Sequence, residues 1–173
     1  MTSTFSYSAS WKLVASGKII VNDIVIEPVT TQAQAKELDR ILWEVLWQPI
    51  GLPRDIRETL KLEGTSIELV ATRGSKVLGG LVAVWLSAET LELRHIALRP
   101  EFQRTYVGTR LVSELMAVAE AGGCLVIQTY ARNTSVVFFA RLGFVALSEE
   151  PLDHPDFSKH GISFLQMEYG FAG

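Results

Sequence analysis

The chain has 173 residues and a single cysteine, Cys124, so no internal disulfide can form and a reducing, cytoplasmic setting is expected. No apolar run approaches the roughly 20 residues that a membrane span requires. The longest, Val77–Leu86, is broken by Gly79 and Gly80. Positive charge is not in surplus: 16 Lys and Arg stand against 19 Asp and Glu, for a net charge of −3. A duplex-binding domain ordinarily carries a basic excess on one face, so neither nucleic acid nor membrane is an expected partner. His95, His154 and His160 lack metal-ligand spacing with the cysteine or with paired carboxylates, and no metal site is expected. Met1–Ser10 has no Lys or Arg and no apolar core, which does not read as a secretory signal.

What is present suits one folded domain. Hydrophobic residues make up 48% of the chain and charged residues 20%, with a mean hydropathy of +0.23. That is too apolar for disorder as the main state. We divide the chain into an N-terminal extension, 1–25, and a domain, 26–173. Trp11–Ala15 and Lys18–Glu27, with turn signals at Ser16-Gly17 and Asn22-Asp23, read as a hairpin or as one long bent strand.

Thr31 and Gln34 have capping-box spacing. Leu38, Ile41, Leu42, Val45 and Leu46 then mark one helical face, which Pro49, Gly51 and Pro53 terminate. Arg54–Leu62 reads as a short second helix. Ser66–Arg73, Lys76–Leu86 and Thr90–Leu98 read as three strands in an antiparallel meander, with Gly74-Ser75 at one turn.

After Pro100 the period changes. Val107, Leu111, Leu115, Val118 and Ala119 predict a helix closed by Gly122-Gly123. A strand at Cys124–Tyr130 follows, then a helix capped by Asn133 that runs to Leu142 and stops at Gly143. Phe144–Leu147 and Ile162–Phe171 are the last strands, with Glu149–His160 as a loop between them. The pattern is α+β, one sheet with helices packed on it.

Chemistry is concentrated in Leu91–Gly108, where a strand enters a loop and then a helix N-terminus. Orphan amides and the helix dipole suit such an end to a phosphate or pyrophosphate. Gly108 permits close backbone approach, and Gln103 and Arg104 can help to hold an anion. Taken alone, the same stretch is also what an ordinary helix start with a solvated Arg104 looks like.

The wider order changes that weight. Leu98-Arg99-Pro100-Glu101-Phe102-Gln103 through Gly108 and Leu111, followed by Asn133, Phe138-Phe139 and Arg141-Leu142-Gly143-Phe144, resembles the GNAT family of N-acetyltransferases from about Ile26 to Phe171. The ending Phe157–Ile162 with Met167-Glu168 is similar to an ElaA-like bacterial subgroup. The resemblance implies the acyl-CoA N-acyltransferase fold, a mixed and largely antiparallel sheet with helices on both faces. It implies acetyl-CoA as cosubstrate and a primary amine of a small molecule or peptide as acceptor, with direct attack on the thioester. It also implies that the pantetheine arm lies along Ile96, Ala97 and Leu98. The pyrophosphate would rest on Gln103, Arg104, Thr105, Tyr106, Val107, Gly108 and Thr109, with Asn133 and Phe139 closing the pantetheine side. A homodimer stays open.

Two departures from the family pattern stand out. Tyr106 occupies a position where the family has glycine: with negative φ its ring can point away, and pointing inward it would plug the site. Phe139 stands where many members have a tyrosine that protonates the leaving thiolate, and phenylalanine has no proton to give. Tyr130 is an alternative donor by topology, or simply a strand residue at the core edge.

For the base that frees the amine, Glu92 is the first candidate. It sits eleven residues before Gln103, close to the spacing of the base glutamate in the family's histone-acetylating members. His95 is the second, with an ordinary pKa near neutral. Glu92 also reads as a solvated strand residue paired with Arg94, and His95 as a half-buried structural histidine. Cys124 reads as a small core residue. Trp43 and Trp47, four apart, read as an apolar wall, with Trp43 packing in the core.

The reading that results is an acetyl-CoA-dependent N-acetyltransferase. The alternatives are a catalytically impaired acyl-CoA-binding or protein-interaction module, favoured by Tyr106 and Phe139, and a domain that has lost CoA altogether.

Overall fold

The computed structural model describes residues 23–172, together with 14–15 and 18–19. Val14–Ala15 (β1) and Lys18–Ile19 (β2) pair antiparallel as a separate hairpin. The predicted strand start at Trp11 and the Ser16-Gly17 turn lie outside the described residues. Ile24–Pro28 (β3) is not a continuation of that hairpin. It forms the outer strand of the main sheet, paired antiparallel with Ser66–Arg73 (β4).

Between β3 and β4 the chain is helical. Gln32–Leu42 (α1) starts on the predicted capping box. The amide of Gln34 donates to Thr31 Oγ1 at 3.1 Å, and the amide of Thr31 donates to Gln34 Oε1 at 3.3 Å. Leu38, Ile41 and Leu42 bury one face. The helix does not simply run on to Leu46. Trp43–Trp47 forms a π-turn, in which the Gln48 amide reaches back to the Trp43 carbonyl, and a 3₁₀ turn follows at Gln48–Ile50. Ile56–Thr59 (α2) is shorter than predicted.

The meander is as expected: β4, Lys76–Trp85 (β5) and Thr90–Leu98 (β6) pair antiparallel in order. Its central strand is apolar on both faces, and its glycines have a steric cause. A Cβ on Gly79 would lie 2.4 Å from the Ala97 carbonyl oxygen. One on Gly80 would lie 2.3 Å from the Leu69 carbonyl oxygen and 2.7 Å from Leu38 Cδ1. Gly80 thus lets α1 sit directly on the sheet.

Val107–Ala121 (α3) buries Val107, Leu111, Val112, Leu115 and Ala119 against the other face. It ends at Gly122 and Gly123, the latter at φ +85, and returns the chain to Val126–Arg132 (β7). β7 lies parallel to β6; a parallel pair needs such a crossover. Val136–Arg141 (α4), Val145–Ala146 (β8), Pro155–Ser158 (α5) and Phe164–Gly170 (β9) complete the fold. The segment 149–160, expected as a plain loop, holds α5. A helix of four residues is too short to leave a periodic signal. The sheet order is β3-β4-β5-β6-β7-β9-β8. It is mixed and largely antiparallel, with α1 and α2 on one face and α3 and α4 on the other. This is the acyl-CoA N-acyltransferase fold.

Asn133 does not cap α4. The helix begins after Ser135 without a side-chain cap. The Asn133 side chain instead donates to the Gly161 carbonyl at 3.1 Å and accepts from the Ser163 amide, tying the end of β7 to the turn before β9.

Gly80→Val will lower the unfolding free energy by about 1–3 kcal/mol, the usual cost of forcing volume into a packed core, as read by urea denaturation. An unchanged midpoint would contradict the account of α1 packing.

Candidate active site

The site follows from two irregularities of the sheet at β6: its parting from β7 and a bulge. β6 and β7 pair from Thr90↔Val126 to Leu93↔Thr129 and then part. At the parting, the buried Thr129 hydroxyl donates to the Leu93 carbonyl at 2.9 Å, closing the ladder with a side chain where no backbone partner follows. Beyond it, β6 keeps its bonds to β5 on one side only. The Arg99 amide donates to the Leu78 carbonyl at 2.8 Å. Because backbone groups alternate along a strand, those of Ala97 also face β5, while those of Ile96 and Leu98 face the gap. The Leu98 carbonyl takes Gln103 Nε2 at 3.1 Å there.

The second irregularity is a bulge in β6. Val82 pairs with His95 and Ala83 with Leu93, leaving Arg94 as the extra residue. Leu91, Leu93, Ile96 and Leu98 all join the core under α3, whereas Ala97 joins the core under α1. In an unbroken strand Glu92 and His95, three apart, would face opposite sides. The bulge puts both on the α1 face, on the wall of one cleft of about 360 Å³. Leu46 and Trp47 from the π-turn, Tyr130 and Arg132 from β7, and Phe157 from α5 also line it.

Glu92 is 4% exposed, so it is not the solvated strand residue that its sequence also allowed. Arg94 Nη1 donates to its Oε1 at 2.7 Å and Gln128 Nε2 to its Oε2 at 3.3 Å. Arg94 is fixed in turn by donating from Nη2 to the Leu60 carbonyl at 2.7 Å. A carboxylate offers about four acceptor positions, so Glu92 is held in place with capacity to spare. His95 stands edge-on to Trp47, with ring centroids 4.9 Å apart. Burial, followed by the positive fields of Arg94, Arg57 and Arg132, pushes its pKa down to about 3. The imidazole is therefore neutral at ordinary pH, and it packs against Trp47 as part of the cleft wall.

The loop before α3 contributes a different surface. Arg104 adopts φ +58, the one positive φ outside glycine among the described residues. This left-handed residue turns the chain between the 3₁₀ turn at Pro100–Phe102 and α3. Among the described residues, the amides of Arg104, Thr105, Tyr106, Gly108 and Thr109 make no hydrogen bond to the protein, while the Val107 amide makes a long one, 3.4 Å, to Thr105 Oγ1. Tyr106 has φ −77 and is 85% exposed. Gly108 is buried, yet a Cβ there would meet Phe138 at 3.5 Å and Leu98 at 3.6 Å. Those are ordinary contacts, so Gly108 is not demanded by close approach within the protein.

Phe139 is buried on the α3 side of the cleft, edge-on to Phe138 and Phe144. Tyr130, 40% exposed, borders the same cleft. Cys124 precedes β7, and burial raises its thiol pKa, which suits a core residue. Trp43 packs with the α1 core while its Nε1 donates to the Leu52 carbonyl at 3.1 Å. Thr129, Gln128 and Arg132 carry much of the site, and no sequence motif marks them.

Unfolded histidine takes up a proton near pH 6.5, and His95 only near 3. Between these values the unfolded chain binds more protons, so stability falls as pH falls. His95→Gln will remove that part of the slope, as read by urea midpoints at about pH 7.5 and about pH 4.5. Parallel curves for the two proteins would contradict the burial of a neutral imidazole.

Comparison with known proteins agrees with this geometry. The family model described as an acetyltransferase (GNAT) domain matches residues 65–146, from β4 to β8. A GNAT family acetyltransferase from Elizabethkingia anophelis, solved with acetyl-CoA bound, superposes with a TM-score of 0.65 at 17% identity, over 87% of this chain and 99% of that one. The PaiA N-acetyltransferase of Thermoplasma acidophilum, in complex with coenzyme A, gives 0.61 at 19% identity, over 86% and 99%. Tetrahymena GCN5 gives 0.67 at 18% identity, over 86% and 96%. At these identities the likeness speaks for the fold.

Proposed function

We propose that the chain is an acetyltransferase that moves an acetyl group from acetyl-CoA to a primary amine in the cleft between β6 and β7. The observation that carries this reading is the parting of the two strands after Leu93 and Thr129, beside a loop of unpaired amides. The donor set suits the cosubstrate. The outward backbone groups of Ile96 and Leu98 suit an amide-bearing pantetheine arm. The amides from Arg104 to Thr109, at the start of α3, suit a pyrophosphate. Gln103 supports this loop from the Leu98 carbonyl. Asn133 acts at one remove, by holding the end of β7 to the turn before β9. The ElaA-like ending falls in α5, that turn and, at Met167-Glu168, β9, and we read its α5 part as belonging to the acceptor side.

When bound, the cosubstrate supplies a thioester carbonyl for the amine to attack and a thiolate to depart. The chain's own part is proton handling and orientation. An alkylammonium of pKa ~10.4 costs about 4–5 kcal/mol to deprotonate at neutral pH. Glu92, buried at the apex of the cleft and held by Arg94 and Gln128, is the base, with its free acceptor positions turned to that task. A positioned base contributes roughly 10²–10⁴ in rate. Neutral His95 packs on Trp47 and shapes the wall. Phe139 supplies no proton, and a thiol of pKa ~8.5 departs reasonably well without a donor. A second reading, an acyl-CoA-binding module without turnover, rests on Phe139.

Glu92→Gln will lower kcat by about 10² or more with acetyl-CoA affinity retained, as read by release of free thiol with an amine panel. Unaltered kcat would remove Glu92 as base. Tyr106→Gly will leave the acetyl-CoA Kd within about twofold by calorimetry, since an exposed ring with negative φ does not fill the loop. Tightening by about tenfold, roughly 1.4 kcal/mol, would mean that the ring obstructs the site.

A further inference from the structure

The arginines on the α1 face do not share one environment. Arg57 pairs with Asp39 and Glu68, Arg94 with Glu92, and Arg99 with Glu37. Arg132, at the end of β7, has no carboxylate partner among the described residues. Its Nη2 donates to the Leu46 carbonyl at 2.7 Å, and its guanidinium lies 5.7 Å from the centroid of the Phe157 ring. Its Nε and Nη1 make no hydrogen bond among the described residues. Burial alone lowers its pKa, with no acidic neighbour acting in the other direction. A half-buried guanidinium with open donors on a cleft wall is a binding group for a planar anion.

The surroundings narrow the ligand. Two carboxylates border the cleft. Glu92 is held by Arg94 and Gln128 and keeps acceptor positions open for the amine, and Asp153, exposed on the loop before α5, forms no ion pair among the described residues. Leu46, Trp47 and Phe157 present apolar surface beside Arg132. Glu92 lies opposite Gln128 in the register, and Arg132 is four residues further along β7. The acid–base end of the cleft and the guanidinium are therefore well separated along one wall.

We infer that the acceptor carries a carboxylate as well as its amine, joined by an apolar body, and that Arg132 binds the carboxylate while the amine faces Glu92. This rests on the acetyltransferase reading for the amine, but the carboxylate site stands on Arg132 alone and can be tested without turnover. The nucleophilic atom is still the amine nitrogen: the ammonium gives one proton to Glu92, the freed lone pair forms the new bond to the acetyl carbon, the carbon–sulfur bond breaks with its pair leaving on sulfur, and the second proton, released as the amide forms, goes to that sulfur. The carboxylate takes no part in bond making.

The test uses the full chain without acetyl-CoA. Binding of 3-phenylpropanoate and of its neutral amide, 3-phenylpropanamide, is measured by calorimetry for the wild type, Arg132→Met and Arg132→Lys, with melting curves alongside. The wild type will bind the carboxylate about tenfold or more tighter than the amide. Arg132→Met will abolish the difference, and Arg132→Lys, which keeps charge but not the planar fork, will keep part of it. Equal binding of the two probes by the wild type would overturn the inference even if neither variant folds, and so would a preference that survives in folded Arg132→Met. Acetyl transfer is then assayed with 3-[4-(aminomethyl)phenyl]propanoate, whose amine and carboxylate stand at opposite ends of an apolar body, and with its neutral amide. Carboxylate discrimination without transfer to either amine would sink the acetyltransferase reading and leave the carboxylate site standing.

Discussion

Every feature of the site depends on the strands β6 and β7 lying side by side for four residue pairs and then separating. A parallel pair in mid-sheet normally satisfies its backbone along its whole length. Here the Thr129 hydroxyl ends the ladder at Leu93, and the amides and carbonyls of Ile96 and Leu98 are left facing a gap. α3 forms the crossover between the two strands, so its N-terminus opens just after the free edge of β6. One topological decision thus brings a strand edge, a helix start and a cleft together, with no long loop needed to build them.

Electrostatics in the cleft follow from the β6 bulge. By adding Arg94 to the strand it turns Glu92 and His95 to the same face, and Arg94 then anchors the carboxylate that it brought there. Burial, reinforced by the positive fields of Arg94, Arg57 and Arg132, keeps the neighbouring imidazole neutral. In the proposed reading Glu92 is the proton acceptor, and the neutral His95 beside it is a packing surface. Arg132 extends the same logic at the far end of β7, where, among the described residues, a cation stands without an ion-pair partner.

Much of this was legible in the residues. Strand-like segments separated by the Gly74-Ser75 turn and ended by Pro100 located β4 to β6, helical spacing located α3, and the Thr31–Gln34 box located α1. Glu92, His95 and the Gln103–Thr109 segment do lie along one continuous path through strand, loop and helix. The rest was hidden for stated reasons. A π-turn adds one residue to a helix whose apolar pattern at Val45 and Leu46 continues undisturbed, so the arrival of Trp47 beside His95 leaves no trace in spacing. The bulge leaves only a short trace, a change of phase from Leu91 and Leu93 to Ile96 and Leu98, and which residue is the extra one shows only in the pairing with β5. Asn133 looks like a cap, and its actual partners, Gly161 and Ser163, are some thirty residues away. Thr129 and Arg132 acquire meaning only from what stands opposite them.

The central claim is that the free edge of β6 and the start of α3 form one continuous binding surface. It is tested most directly by following backbone amide resonances of the 15N-labelled protein during titration with acetyl-CoA. The account predicts saturable shifts that are largest at Ile96, Leu98 and the amides from Gln103 to Thr109, with α1, β3 and β4 unmoved. Shifts confined to other surfaces, or none at millimolar ligand, would contradict it.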